Sequence, residues 1–200
     1  MAVGEEAASA PGDGEESEAA PLPRESKATL DAAFEQLYRD HLRDVYSYSY
    51  YRVGDHHDAE DLTEQAFLQA YRHFERARRE SQGRPLRPWL IRIAHNLASN
   101  HHRDRARRPE SALDAVEPPS HPHPTVRVAE GREELREVIE KVADLPDDRR
   151  EALIMRFALG MSNREIARVL DRSDGATKVL LHRAIKQLET SMQSREPSDD

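Results

Sequence analysis

The chain has 200 residues, 30 Lys and Arg against 38 Asp and Glu, and no cysteine, for a formal net charge of −8. That length accommodates one domain or two small ones, and the missing thiols exclude disulfides, thiolate metal sites, iron–sulfur clusters and cysteine nucleophiles. No apolar run approaches the roughly 20 residues that span a bilayer, and residues 1–20 are acidic with no signal-peptide pattern, so a cytoplasmic protein without membrane insertion is expected.

Residues 1–28 are rich in Ala, Gly, Pro, Ser and Glu without periodicity and read as a disordered acidic tail. From 29 the pattern is helical, with Leu30, Phe34, Leu37, Leu42 and Val45 on roughly one face until Gly54-Asp55 breaks it. Asp58 is expected to cap a second helix lined by Ala59, Leu62, Ala66, Ala70 and Phe74. Residues 81–85 form a loop, and Pro88 suits the first turn of a third helix. That helix buries Trp89, Leu90, Ile93, Ala94 and Leu97, then runs into a stripe where Arg92, Arg103, Arg105, Arg107 and Arg108 are opposed only by Asp104. Residues 109–130 hold five prolines and read as a linker. Helicity resumes near 131 with Leu135, Val138, Ile139 and Val142. Pro146 starts a helix bearing Leu153, Ile154 and Phe157, which Gly160 closes. Ser162 and Glu165 have capping-box spacing for a short helix carrying Ile166, Ala167, Val169 and Leu170. Asp171-Arg172 is a turn, Ser173 caps a last helix to about 190, and a polar tail follows at 191–200. No strand-like alternation occurs. The expected fold is all-α: two small helical domains, 29–108 and 131–190, joined by a Pro-rich linker.

Two segments carry binding chemistry. Residues 162–188 have the form of a helix-turn-helix. At 100° per residue, Leu181, Ala184 and Leu188 share a side with Thr177. Gly175, Lys178, Val179, His182 and Lys186 cluster opposite, where lysines can meet phosphates and a valine a thymine methyl. A helical hairpin with a solvated basic face has the same pattern. The second segment, 89–108, follows its apolar half with His95, Asn96, Asn100, His101, His102 and the arginines. Arginine neutralises phosphate, asparagine bonds a base edge and tryptophan stacks; a solvated, Arg-rich helix end is the alternative. The ten histidines lack metal-ligand spacing, so no metal, cofactor or catalytic residue is expected.

At these residues the chain resembles bacterial sigma factors. DAEDL at 58–62 and FLQAY at 67–71 resemble the segment that docks on core RNA polymerase. RPWLIRIAHN at 87–96 resembles the promoter-melting segment. LPDDRREAL at 145–153 and GMSNREIA at 160–167 resemble the −35-binding domain. With only two domains, the chain is similar to the extracytoplasmic-function (ECF, group 4) branch of the sigma-70 family. The resemblance implies a region 2-like domain and a region 4-like helix-turn-helix domain. It also implies three partners: core polymerase, through its β′ clamp and β flap; promoter DNA; and an anti-sigma protein. Asp58, Asp61, Leu62, Gln65 and Phe67 would face the polymerase. Trp89, Arg92, Asn96, Asn100, Arg103, Arg105, Arg107 and Arg108 would serve the −10 element, with Asn96 at an extruded base. Ser173, Gly175, Lys178, Val179, His182, Arg183 and Lys186 would serve the −35 element.

The chain departs from the family pattern at Glu64-Gln65, usually Gln-Glu, at Leu86, often aromatic, and at Val179-Leu180, which replace a hydroxyl residue and an arginine. Leu180 reads as a widened buried face. The expectation is weaker or altered −35 recognition, tightened by arginine at Leu180. Two other functions fit the same residues, a one-component helix-turn-helix regulator and a sigma-like decoy that does not initiate.

Overall fold

The computed structural model describes residues 26–107 and 138–193, and these form helices with no strand among them. The tail up to 25, the linker 109–130, Leu135, Arg108 and residues 194–200 lie outside the described residues.

The first helix, α1, spans Lys27–Val53, with Ser26 as its N-cap accepting from the Thr29 amide. It ends at Gly54, whose φ of 76° lies in the left-handed region that glycine enters without steric cost. The second, α2, spans His56–Ser81 and folds back along α1. Asp55, not Asp58, is its N-cap, accepting from the Asp58 amide at 3.0 Å. The cap moves upstream because Asp55 directly follows the glycine break and has the extended backbone a cap requires. Aromatic edges join the pair: Phe34 lies 5.2 Å from Phe74 and 5.0 Å from Tyr71, and Tyr38 lies 4.6 Å from Phe67. The third helix, α3, spans Arg87–Arg107 and crosses both.

Residues 138–143 are helical (α4), and α5 follows over Asp147–Leu153. The continuous helix expected up to Gly160 is interrupted. Residues Ile154–Ala158 form a π turn, in which the Leu159 amide donates to the Ile154 carbonyl at 3.2 Å. A π turn advances less than 100° per residue, so apolar positions counted at α spacing lose phase. Phe157 is consequently 69% exposed, while Met155 is fully buried. Helix α6, Asn163–Leu170, begins at the expected capping box, and α7 runs over Asp174–Gln193, past the expected end near 190.

The two helical units share one core. A single apolar cluster extends from Val45, Tyr48, Leu90 and Ile91 through Leu145 and Met155 to Met161, Leu180 and Leu181. Each fully buried large aliphatic side chain in it contributes about 1.5–3 kcal/mol. A smaller cluster of Val53, Ala59, Leu62 and Ala98 holds α1, α2 and α3 at their other end, with Tyr46 and Tyr50 against it. The tyrosines of α1 are thus packing residues.

Candidate nucleic-acid interface

Helix α3 presents one polar face. Leu90, Ile91, Ile93, Ala94 and Ala98 are buried. Arg92, Asn96, Asn100, Arg103 and Arg107 recur at three- and four-residue steps, and all are exposed. Trp89 stands at the head of this stripe, half-buried against the core. Arg103 donates to the Asn100 side chain. The stripe therefore offers guanidinium groups and amides on one line, with an indole at its end.

The other polar residues of α3 are not on the stripe. Arg105 is half-buried, with Nη1 3.7 Å from Asp58 Oδ2, and His101 Nε2 lies 3.4 Å from the same oxygen. His102 Nε2 donates to the Arg52 carbonyl at 2.7 Å. His95 Nδ1 shares a hydrogen bond with the Tyr48 hydroxyl at 3.0 Å and lies 3.5 Å from Glu151 Oε2. Despite that carboxylate, burial, then Arg52 and Arg92, push the His95 pKa down to about 4, leaving a neutral ring. A run of polar residues wraps around a helix, so those in phase with Arg92 and Asn96 face outward. His95, His101, His102 and Arg105 instead tie α3 to α1, α2 and α5.

The helix-turn-helix is built from local hydrogen bonds. Glu165 Oε2 accepts from the Ser162 amide at 2.8 Å, and Ser162 Oγ accepts from the Glu165 amide at 3.3 Å. Asp171 turns the chain with φ 55°, and Ser173 Oγ caps α7 by accepting from the Ala176 amide at 3.1 Å. Thr177, Leu180, Leu181 and Ala184 are buried on α7. Ser173, Gly175, Lys178, Val179, His182, Arg183 and Lys186 are all exposed, and this basic face points away from the core.

On α2 the expected set divides. Asp61 and Gln65 are exposed, but Leu62 and Phe67 are buried core residues and present no docking surface. Asp58 is half-buried beside His101 and Arg105. Leu68, within the FLQAY segment, is exposed and in phase with Asp61 and Gln65, so the three share the outer side of α2.

A cleft of about 560 Å³ lies between the end of α2, the head of α3 and the end of α6, lined by Arg76, Arg84, Trp89, Arg92, Arg168 and Asp171 among others. Across it, Arg92 Nη2 lies 3.7 Å from Asp171 Oδ2, and Nη1 donates to the Arg168 carbonyl at 3.4 Å. Arg87 binds Asp44 at 2.7 Å and donates to the Leu159 carbonyl. Burial opposes ionisation of Asp44, but hydrogen bonds from His41 and Arg87 hold its pKa below the usual value. Among the described residues, no group of three His, Asp or Glu side chains is placed to hold a metal ion. None of their helices is long and apolar enough to cross a membrane.

Known proteins match both helical units. The family model of Sigma-70 region 2 matches residues 37–108, and that of Sigma-70, region 4 matches residues 135–188. The ECF RNA polymerase sigma factor BldN of Streptomyces coelicolor is 36% identical over 160 residues, 78% of this chain and 59% of BldN, so the chain spans less than two thirds of that relative. The ECF RNA polymerase sigma factor SigC of Mycobacterium tuberculosis is 33% identical over 152 residues, 76% of this chain and 79% of SigC. The fold is shared with the sigma factor RpoE, solved in complex with the anti-sigma factor NepR from Bartonella quintana. The TM-score is 0.65 at 22% identity, over 82% of this chain and 99% of that one. Together, the ordered motifs, the two exposed basic faces and these matches show that the chain belongs to the extracytoplasmic-function branch of the sigma-70 family of RNA polymerase sigma factors.

Proposed function

We propose that this protein is an RNA polymerase sigma factor of the ECF type, which binds core polymerase, directs it to particular promoters and helps open the −10 region. The observation that carries this reading is the pair of exposed faces on α3 and α7, each on a helix whose opposite side is core. On α3, Arg103 and Arg107 take phosphates, Asn96 takes an extruded base edge and Trp89 supplies a stacking surface. Unstacking a base costs a few kcal/mol, and capture on an aromatic returns about 1–3 kcal/mol. On α7, Lys178, Val179, His182, Arg183 and Lys186 meet the −35 element, with Ser173 and Gly175 at the helix start closest to the groove. Asp61, Gln65 and Leu68 on α2 face the polymerase. The chain lends specificity to an enzyme and performs no covalent step itself, working in the cytoplasm. An anti-sigma protein is a further partner, by analogy with NepR on RpoE.

The test is reconstituted transcription. Adding the protein to sigma-free bacterial core polymerase should give discrete run-off products from genomic fragments. Stable polymerase binding without transcripts would identify a decoy and sink the initiating role.

A further inference from the structure

Closure of the two helical units on one another shapes the cleft at the head of α3. Its volume of about 560 Å³ falls within the roughly 300–1,000 Å³ of small-ligand sites. The lining combines two chemistries. Pro85, Leu86, Pro88 and Trp89 come from one stretch, the loop before α3 and its first turn, and give an apolar wall with an indole in it. Around that wall stand guanidinium groups from three segments: Arg84 in the loop, Arg92 on α3 and Arg168 on α6.

These three arginines are weakly engaged. Arg92 Nη2 lies 3.7 Å from the Asp171 carboxylate and Nη1 lies 3.4 Å from the Arg168 carbonyl. Both exceed the roughly 2.7–2.9 Å of a charge-assisted hydrogen bond. Arg84 commits its Nε to the Ser81 carbonyl at 2.9 Å. The Arg168 guanidinium makes no hydrogen bond or ion pair among the described residues. Arg76 differs, since Glu80 holds it at 2.6 Å. Guanidinium forks meet phosphate through paired N–H groups, and an aromatic face stacks any base. Base and phosphates on one small molecule make a nucleotide, and engaging three arginines calls for more than one phosphate. A DNA strand offers the same groups, but a strand that enters the cleft must also leave it. Glu80 and Asp171 stand in the lining, and their carboxylates repel a continuing backbone. A free nucleotide ends inside, where the same carboxylates accept from ribose hydroxyls or base amino groups.

We propose that this cleft binds a free nucleoside di- or triphosphate, with its phosphates on Arg84, Arg92 and Arg168 and its base against Trp89. Trp89 and Arg92 also stand on the stripe assigned to the −10 element, so the nucleotide and a melted strand exclude one another. That exclusion rests on reading α3 as a DNA-binding helix; the nucleotide site itself does not.

The test is equilibrium dialysis of the full, polymerase-free chain against radiolabelled GTP and ATP. At least one should bind at a single site. Unlabelled tripolyphosphate and the bare nucleosides should compete about 10-fold or more weakly than the nucleotide itself. Arg84→Gln and Arg168→Gln, at exposed positions outside the α3 stripe, should each weaken the nucleotide about 10-fold. Both should leave binding of a short single strand of mixed sequence unchanged. If one variant unfolds by circular dichroism, the other decides. Absence of binding up to about 1 mM of either nucleotide overturns the proposal. Tripolyphosphate competing as well as the nucleotide reduces the cleft to an anion patch and also overturns it. Undiminished nucleotide binding in the folded variants overturns the assignment to this cleft. Variants that weaken the strand as much as the nucleotide put the cleft on the path of DNA and overturn the free ligand. The strand should displace the nucleotide from the unmodified chain, and failure to do so overturns the exclusion. Failure to initiate with core polymerase would count against the sigma reading while leaving the dialysis intact.

Discussion

Val179 and Leu180 are adjacent on α7 and have opposite fates, the first 48% exposed and the second 6% exposed. An arginine placed at Leu180 would start from inside the core, not from the outer side on which Val179 stands. Leu180→Arg should therefore not tighten binding, contrary to the expectation from the family pattern. It should destabilise the fold by on the order of 3 kcal/mol, because a charge would enter the core without a partner. Val179→Arg should strengthen −35 binding and steepen its salt dependence by about one phosphate contact. Titrations against a −35 duplex at several salt concentrations, with thermal melts of both variants, check the pair. Residue phase also explains what could be read in advance. The division of α7 followed from 100° steps, whereas the polar face expected on α3 also took in His95, His101, His102 and Arg105, which the fold turns onto partners. Leu62 and Phe67 were assigned to the polymerase because resemblance identifies a segment, not a side of a helix. Their spacing from Ala59, Ala66 and Ala70 places them inward.

At the scale of elements, starts and stops were the most legible features because their causes are local. The capping box of Ser162 and Glu165, the Ser173 cap and the Gly54 and Gly160 stops lie within a few residues of the groups they satisfy. Ser162→Ala should lower stability by about 1 kcal/mol, measurable in a urea titration, since it removes the cap acceptor. Asp55 displaced Asp58 because both aspartates lie near the break and only the backbone of the first is extended. The π turn was illegible. Nothing in Ile154–Ala158 departs from a helical composition, and the i to i+5 bond accompanies burial of Met155 and Leu159 in the shared core.

The whole molecule holds the least legible feature, closure. Nothing local in the sequence marks Arg52 and Glu151 as partners; only the fold makes them a buried pair. Closure also gives acid sensitivity a direction. His95 and His102 are held neutral in the folded protein, chiefly by burial. The unfolded chain takes up those protons below the ordinary histidine value of 6.5, whereas folded His95 resists down to about 4. Stability should thus fall as pH drops through that window. Glu151, whose pKa burial raises, works in the opposite sense and blunts the slope. Melting temperatures followed from neutral to mildly acid pH should decline, and His95→Gln should flatten the decline. A profile rising toward acid would mean that Glu151 dominates.

The chain contains a single tryptophan. That residue is Trp89, half-buried in the cleft beside Arg168 and Asp171 of the opposite unit. Every photon of indole emission from this protein therefore originates between its two halves. Water entering the cleft should move that emission to longer wavelength, and an iodide quencher should reach the ring more readily. The native protein thus carries an optical gauge of its own separation, readable during assembly with polymerase if the partner's tryptophans are replaced or subtracted.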